Sequence, residues 1–432
     1  MGRTGVATAN FLAEKKALIT LIDSRAHKKL EKNIYSLHPA VQKIFNCSQP
    51  PSSSDLIVLS PGVDIRAPFL DRTREQGTEI ISEIELASRF TQTPIIAVTG
   101  TNGKSTVTTL IGKILKQAGK KVAIGGNLGA PFVSLLGQEP VDYFVLEIST
   151  FQLEGIKTFH PHIAIILNIT PDHLDRHKTF EEYATLKGKI STFQTEEDIL
   201  ILNNDDKNVI KQGKGSKAKK VFFSLLDEVS EGVYLKNNLI TTCFSQIKQN
   251  LFSVSALHPA MQCQVENLLS AVAATSIARA KSSDISSVAS GFEGLEHRIE
   301  WVRTVRGIDF VNDSKGTNVG SVNKSLASFS RPIILIAGGK DKGADFRTLK
   351  GIFKEKVKHL ILIGETKNKF RQILNGSFSC EDARSMEDAI ERAVKKAQAG
   401  DVVLLSPGCA SFDMFKDFAE RGNRFKEIVN QL

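Results

Sequence analysis

The stretch from Thr93 to Gly119, TPIIAVTGTNGKSTVTTLIGKILKQAG, restricts the possible folds more than any other part of the chain. Ile95 to Val98 read as a short buried strand, and Thr99 to Gly103 as a glycine-punctuated turn. Beyond it Val107, Leu110, Ile111, Ile114 and Leu115 recur at helical spacing, and Gly119 stands where a helix ends. Strand, turn and helix start aim backbone N–H groups and the positive end of the helix dipole at one point, which suits a polyphosphate. Lys104 adds a point charge there, and the Ser105 hydroxyl is placed to ligate Mg²⁺. The general phosphate-loop pattern asks for glycine at position 98, where this chain has Val98. Such a unit belongs to an α/β fold with a parallel sheet.

At 432 residues the chain exceeds one ordinary core, so two or three domains are expected. A hydrophobic share of 41% and a charged share of 24% are those of a soluble globular protein. With no apolar run near the roughly 20 residues of a membrane span and no signal peptide, the expected location is the cytoplasm. Cys47, Cys243, Cys263, Cys380 and Cys409 are scattered without a C-x-x-C, which argues against a disulfide framework or a structural zinc. The net charge of +9 is spread thinly, and its densest run, Lys211 to Lys220, reads as a solvated loop. Small anionic substrates therefore explain the charge better than nucleic acid does.

Three α/β regions follow one another. Residues 1–91 open on MGRTGVATANFL, the back half of a nucleotide-binding turn leading into a helix over Val6 to Leu12. Ala17 to Ile22 then form a strand ending in Asp23, about where a dinucleotide-type fold places its acidic residue, and Asp55 to Leu59 lead into Ser60. A strand expected ahead of the turn is missing, so this region reads as Rossmann-like and entered late. Residues 92–296 add strands over Val122 to Ile124, Tyr143 to Leu146 and Ile163 to Leu167, short strands within 220–255, and a helix from Val265 to Ala280 carrying Asn267. Residues 297–432 contain four further strands, Asp309 to Val311, Ile333 to Ala337, Leu360 to Ile363 and Val402 to Leu405, each followed by a helical segment.

Ligands in parallel sheets bind beyond the carboxyl ends of strands, so Lys104, Glu147 and His173 are expected in one crevice. Glu147, ending an apolar strand, is placed to reach Mg²⁺ on a bound nucleotide. On spacing alone His177 faces solvent and Lys187 is an exposed helix lysine.

Long ordered strings add a resemblance: TGTNGKST at 99–106, GGNLG at 125–129, LEISTFQLE at 146–154, LNITPDHLDRH at 167–177, YATLKGKI at 183–190, LEHRIE at 295–300, NDSKGTN at 312–318, GGKDKGADF at 338–346 and LSPGCASFDMFKDFAERGNRF at 405–425. Together with RTG at 3–5 they are similar to the Mur ligase family over nearly the whole chain. NDSKGTN and SPGCASFDMF resemble the branch that adds D-glutamate.

The resemblance implies an ATP-dependent amide ligase of three domains that extends a UDP-linked muramoyl-L-alanine through an acyl phosphate, in peptidoglycan precursor synthesis. It implies ATP on Gly100, Thr101, Asn102, Gly103, Lys104, Ser105 and Thr106, with Asn267, Arg298 and Asp313 along the nucleoside and phosphates. Two Mg²⁺ ions are implied, one near Ser105 and one on Glu147, His173 and Lys187, the lysine being carboxylated. The uridine-nucleotide and muramoyl side falls to Arg3, Thr4, Asp23, Ser24, Arg25, Ser60, Asn127, Ser149, Gln152 and His173. D-glutamate falls to Lys315, Thr317, Lys342, Ser411, Phe412 and Phe418. A monomer without nucleic-acid or membrane partners is expected. Gly316 and Gly408 stand where related sequences often have alanine, and since both lie in turns glycine is expected to be tolerated there. A ligase for another amine, and a nucleotide-dependent scaffold, are the competing readings.

Overall fold

The computed structural model describes residues 2–30, 34–51, 53–137, 140–173, 176–341, 343–374 and 378–432. The helix Arg3–Glu14 lies across two separate pairs of parallel strands, β1 (Thr20–Asp23) with β2 (Gln42–Phe45) and β3 (Leu56–Leu59) with β4 (Glu79–Ser82). Its Val6, Ala9 and Ala13 pack with Ile19 and Leu21, while Ala7, Phe11 and Leu12 pack with the cluster that includes Leu56 and Val58. The helix starts earlier than its apolar run predicted. Strands β2 and β4 were not foreseen, because four-residue strands without clean alternation carry little periodic signal.

Nine strands make the largest sheet: β5 (Ile95–Thr99), β6 (Val122–Gly126), β7 (Tyr143–Glu147), β8 (Ile163–Ile166), β9 (Ile199–Asn203), β10 (Lys219–Ser224), β11 (Gly232–Lys236), β12 (Leu239–Phe244) and β13 (Ile247–Ser253). Their order is β13-β12-β11-β10-β9-β8-β5-β7-β6, parallel except for the antiparallel hairpins that join β11, β12 and β13. Period-two alternation makes two apolar layers. Along β5, Ile96 and Val98 enter the layer with Leu110, Ile114 and Leu268 from the helices Lys104–Gln117 and Val265–Ile277, whereas Ile95 and Ala97 enter the opposite layer with Ile84 and Phe132.

The third sheet contains β14 (Glu300–Val305), β15 (Ile308–Asn312), β16 (Ile333–Gly338), β17 (Val357–Ile363), β18 (Cys380–Asp382) and β19 (Val402–Leu405), ordered β14-β15-β19-β16-β17-β18. Only β14 runs antiparallel. The four foreseen strands form its centre, and the two unforeseen ones form its edges.

The loop after β5 meets the helix Val319–Ala327 of the third sheet, where Ser321 Oγ donates to Asn102 Oδ1 at 2.8 Å and Asn318 Nδ2 to Asp172 Oδ2 at 3.0 Å. Gly320 stands at this seam, where a Cβ would come within 3.1 Å of Thr170 Oγ1.

Candidate active site

Backbone shape fixes the loop after β5. Gly100 and Gly103 have φ of +154° and +88°, and a Cβ on Gly103 would lie 2.2 Å from Asn267 Oδ1, so only glycine lets Asn267 sit against the helix start. Thr101 Oγ1 donates to Thr170 O and accepts from Tyr183 Oη, both at 3.1 Å, and Asn102 N donates to Asn168 Oδ1 at 2.9 Å. Thr106 Oγ1 reaches Gln264 Oε1, which also accepts from Asn267 Nδ2.

Around this loop the charges are unequal in number. Lys104 Nζ lies 2.8 Å from Gly100 O, and Lys187 Nζ reaches the same carbonyl at 2.8 Å. Burial, and then the neighbouring Lys104 charge, push the Lys187 amine well below the ordinary lysine range. Lys104 is lowered by burial and by Arg298 against the pull of Glu147, and Arg298 is lowered by burial. Glu147 is 4% exposed; burial raises it, but Lys104 and hydrogen bonds from Ser105 and Asn127 outweigh this and hold it ionised. Ser105 Oγ donates to Glu147 Oε2 and accepts from Arg298 Nη2 at 2.7 Å, and Asn127 Nδ2 donates to Glu147 Oε1 at 2.7 Å.

Hydroxyl and carboxylate oxygens thus converge at Ser105 and Glu147, a donor set that fits Mg²⁺. The second expected set does not assemble in the same way. Lys187 as an amine donates to a carbonyl, and His173, with φ of +53°, is exposed and packs edge-on against Phe151 at 5.1 Å. Among the described residues no three His, Cys, Asp or Glu form a metal-binding group.

Two readings made from spacing alone are corrected. Lys187 is 2% exposed, with Nζ 4.6 Å from the Tyr183 ring centroid, because its helix turns that face toward the phosphate loop. His177 is fully buried, with Nε2 3.1 Å from Thr150 Oγ1 and its ring stacked on Phe151. Its loop is drawn inward because Arg176 pairs with Glu154 at 2.8 Å and donates to Val63 O.

From the third sheet, the loop after β15 carries Asp313, whose Oδ2 accepts from Ser325 Oγ at 2.6 Å and Ser406 Oγ at 2.8 Å. Burial pushes its carboxyl up to about 6 despite those bonds. Lys315 lies 3.9 Å over the Phe418 ring and is lowered to about 8 by burial and by Arg298. Thr317 follows on the same loop, Ser411 is buried in the loop after β19, and Phe412 is 66% exposed beside it. Lys342 lies outside the described residues. Glycine suits the positions of both Gly316 and Gly408. A Cβ on Gly316 would lie 2.5 Å from Asp313 Oδ2, and Gly408 has φ of +69° while donating its N–H to Gly316 O at 2.8 Å.

Residues expected on the uridine side gather at the ends of β1 and β3. Arg3 and Thr4 start the first helix, Asp23 is held by a bidentate pair with Arg25 and so lies well below the usual carboxylate range, and Ser24 is exposed between them. Ser60 Oγ would be 3.3 Å from a Cβ on Gly5. Ser149 and Gln152 bond reciprocally as a capping box, with Gln152 Oε1 accepting from Ser149 N at 2.9 Å.

Comparison with known proteins places descriptions of the same family along the chain in order: the N-terminal domain of MurD-like Mur ligases over residues 1–82, the Mur ligase middle domain over 98–275, and the Mur ligase glutamate ligase domain over 297–409. The UDP-N-acetylmuramoylalanine--D-glutamate ligase of Alkaliphilus metalliredigens is 40% identical, over 99% of this chain and 96% of its own. The chain belongs to the Mur ligase family. The enzyme of that name from Geobacter metallireducens is 41% identical, over 100% of this chain and 96% of its own. Among solved structures, MurF from Acinetobacter baumannii (TM-score 0.64, 14% identity, 96% of this chain and 92% of that one) and a pseudomurein peptide ligase type C from Methanothermus fervidus (0.63, 17%, 100% and 98%) share the Mur ligase fold.

Proposed function

We propose that this chain is an ATP-dependent ligase that joins D-glutamate to UDP-N-acetylmuramoyl-L-alanine, releasing ADP and phosphate in peptidoglycan precursor synthesis. The observation that carries the reading is the surplus of basic side chains where two sheets meet. Lys104, Lys187, Arg298 and Lys315 all feel Glu147 as an opposing charge, Lys104 and Lys187 also feel Asp172, and Arg298 also feels Asp313. Such a surplus suits a triphosphate together with the carboxylates of acceptor and amino acid. Relatives at about 40% identity bear the name of this activity along the whole chain.

In this reading Gly100 to Thr106 hold the phosphates, while Asn267 and Asp313 hold the nucleoside and Arg298 the γ end. Arg3, Thr4, Asp23, Ser24, Arg25 and Ser60 hold the uridine nucleotide, and Asn127, Ser149, Gln152 and His173 orient the muramoyl-alanine. The alanine carboxylate attacks the γ phosphorus and ADP leaves; Lys104 and Arg298 offset the charge that develops on the phosphoryl oxygens. D-glutamate, held by Lys315, Thr317, Lys342, Ser411, Phe412 and Phe418, attacks the acyl carbon with its amine. Phosphate departs with the electron pair of the acyl C–O bond, and the amine releases a proton. Contact between the helix Val319–Ala327 and the phosphate loop keeps water from the acyl phosphate meanwhile.

Ser105 and Glu147 would hold Mg²⁺, which when bound would supply Lewis-acid charge for the phosphoryl oxygens. A second ion on Glu147, His173 and Lys187 would require the lysine to be carboxylated; burial and the neighbouring Lys104 charge, which lower its amine well below the ordinary lysine range, support that reaction with CO₂. The division into domains at 1–91, 92–296 and 297–432, a monomeric state and a cytoplasmic location belong to the same proposal. Among the described residues no helix is long and apolar enough to cross a membrane. The deciding experiment supplies the purified chain with ATP and the acceptor, adds D-glutamate, L-alanine or a diamino acid in turn, and follows phosphate release. Preference for D-glutamate is expected, and preference for another amine overturns the assignment.

A further inference from the structure

The helix Phe418–Val429 buries an arginine in its first turn. Arg421 is 1% exposed, and its guanidinium makes four hydrogen bonds, none to a carboxylate. A buried cation whose hydrogen bonds among the described residues all go to neutral oxygens is costly, and burial lowers this one to about 10 although Asp413 and Asp313 pull the other way. What it holds gives the reason for its presence. Nε donates to Ser314 Oγ at 3.0 Å, Nη2 to Ser314 O at 2.8 Å and to Cys409 O at 3.1 Å, and Nη1 to Ala410 O at 3.2 Å.

The bonds to Ser314 and the bonds to Cys409 and Ala410 end next to different parts of the amine pocket. Ser314 precedes Lys315, and its Oγ donates to Phe418 O at 2.8 Å, the backbone of the ring beneath the Lys315 ammonium. Ala410 precedes Ser411 and exchanges two backbone hydrogen bonds with Lys340, at 2.9 and 3.2 Å, at the head of the loop that continues to residue 342. Gly339 makes room for this approach: its φ is +140°, and a Cβ there would lie 3.2 Å from Arg421 Nη1. One planar fork thus joins the loops after β15 and β19 to the start of the last helix, and through Ala410 it reaches the loop after β16.

We propose that Arg421 is the positioning residue of the amino-acid pocket, fixing the loops that carry Lys315 and Ser411 and the helix start at Phe418 in one register without touching the substrate. This rests on the reading of the third sheet as the D-glutamate site. Lysine at 421 keeps the charge and loses the fork. In Arg421→Lys the KM for D-glutamate rises about ten-fold, the scale of a lost charged hydrogen bond, while the KM values for ATP and the UDP-linked acceptor stay within about two-fold. Amide exchange rises together in segments 314–317 and 409–412 and is unchanged in 100–106.

An unchanged amino-acid KM, three KM values moving in proportion, or exchange that does not rise in both segments overturns the proposal. If Arg421→Lys fails to fold, Ser314→Ala removes the Nε acceptor and the link to Phe418 while leaving the guanidinium, and the same KM split of about five-fold is expected. Should the wild type use a different amine, the D-glutamate assignment fails, and the KM of that amine carries the test of Arg421. Should it turn over none, the exchange measurement alone decides.

Discussion

Asp313→Asn separates what the site costs the fold from what it contributes to catalysis. Asp313 is 5% exposed, and burial raises its carboxyl from the ordinary 3.8 to about 6. The folded chain therefore holds this proton more tightly than the unfolded one does. Its stabilising contribution is full below the unfolded pKa and is lost as pH rises through about 6. A difference of about two units corresponds to about 3 kcal/mol of destabilisation once the group is ionised. An asparagine oxygen can still accept from Ser325 and Ser406 while carrying no charge. The variant is therefore expected to be the more stable form at pH 8, by about 3 kcal/mol, with the gap narrowing by about 2 kcal/mol at pH 4.5. Urea unfolding followed by Trp301 fluorescence reads this, since the chain has 1 tryptophan and it lies on β14, beside β15. The same variant is expected to raise the KM for ATP. A stability gap equal at both pH values, or absent at pH 8, would refute the electrostatic account.

Three further perturbations follow from the same geometry. Lys187→Ala is expected to abolish phosphate release, with partial recovery in added small carboxylic acids and none in bicarbonate; full activity in the variant would remove the lysine from the site. Gly316→Ala forces a Cβ to 2.5 Å from Asp313 Oδ2 and 2.9 Å from Ser406 Oγ, so thermal unfolding should show a loss of about 1–3 kcal/mol together with weaker ATP binding. Ser321→Ala deletes the hydroxyl that bonds Asn102, at about 1 kcal/mol, so phosphate release should outrun amide formation when both products are counted in one reaction.

What could be read in the residues was whatever local pattern encodes. Ile95 to Gly119 announced strand, turn and helix because buried alternation, glycine at left-handed positions and helical spacing all agree there, and the structure follows them nearly residue for residue. The edges β14 and β18 and the short β2 and β4 escaped, since their pairing is decided by neighbours far away in the chain. The same division separates site residues. Glu147 could be suspected from its strand, whereas spacing assigns Lys187 and His177 to solvent and singles out nothing at Arg421. Their burial comes from tertiary contacts, namely a shared carbonyl at Gly100, a stacked Phe151 and the carbonyls of Cys409 and Ala410. Family resemblance reached Lys187 because it transfers positions without needing a local cause. It did not reach Arg421, which acts on the backbone of the pocket and leaves the ligand to its neighbours. A buried cation among backbone carbonyls has no signature at the level of residue spacing, so positioning groups of this kind have to be sought in the hydrogen bonds of the folded chain.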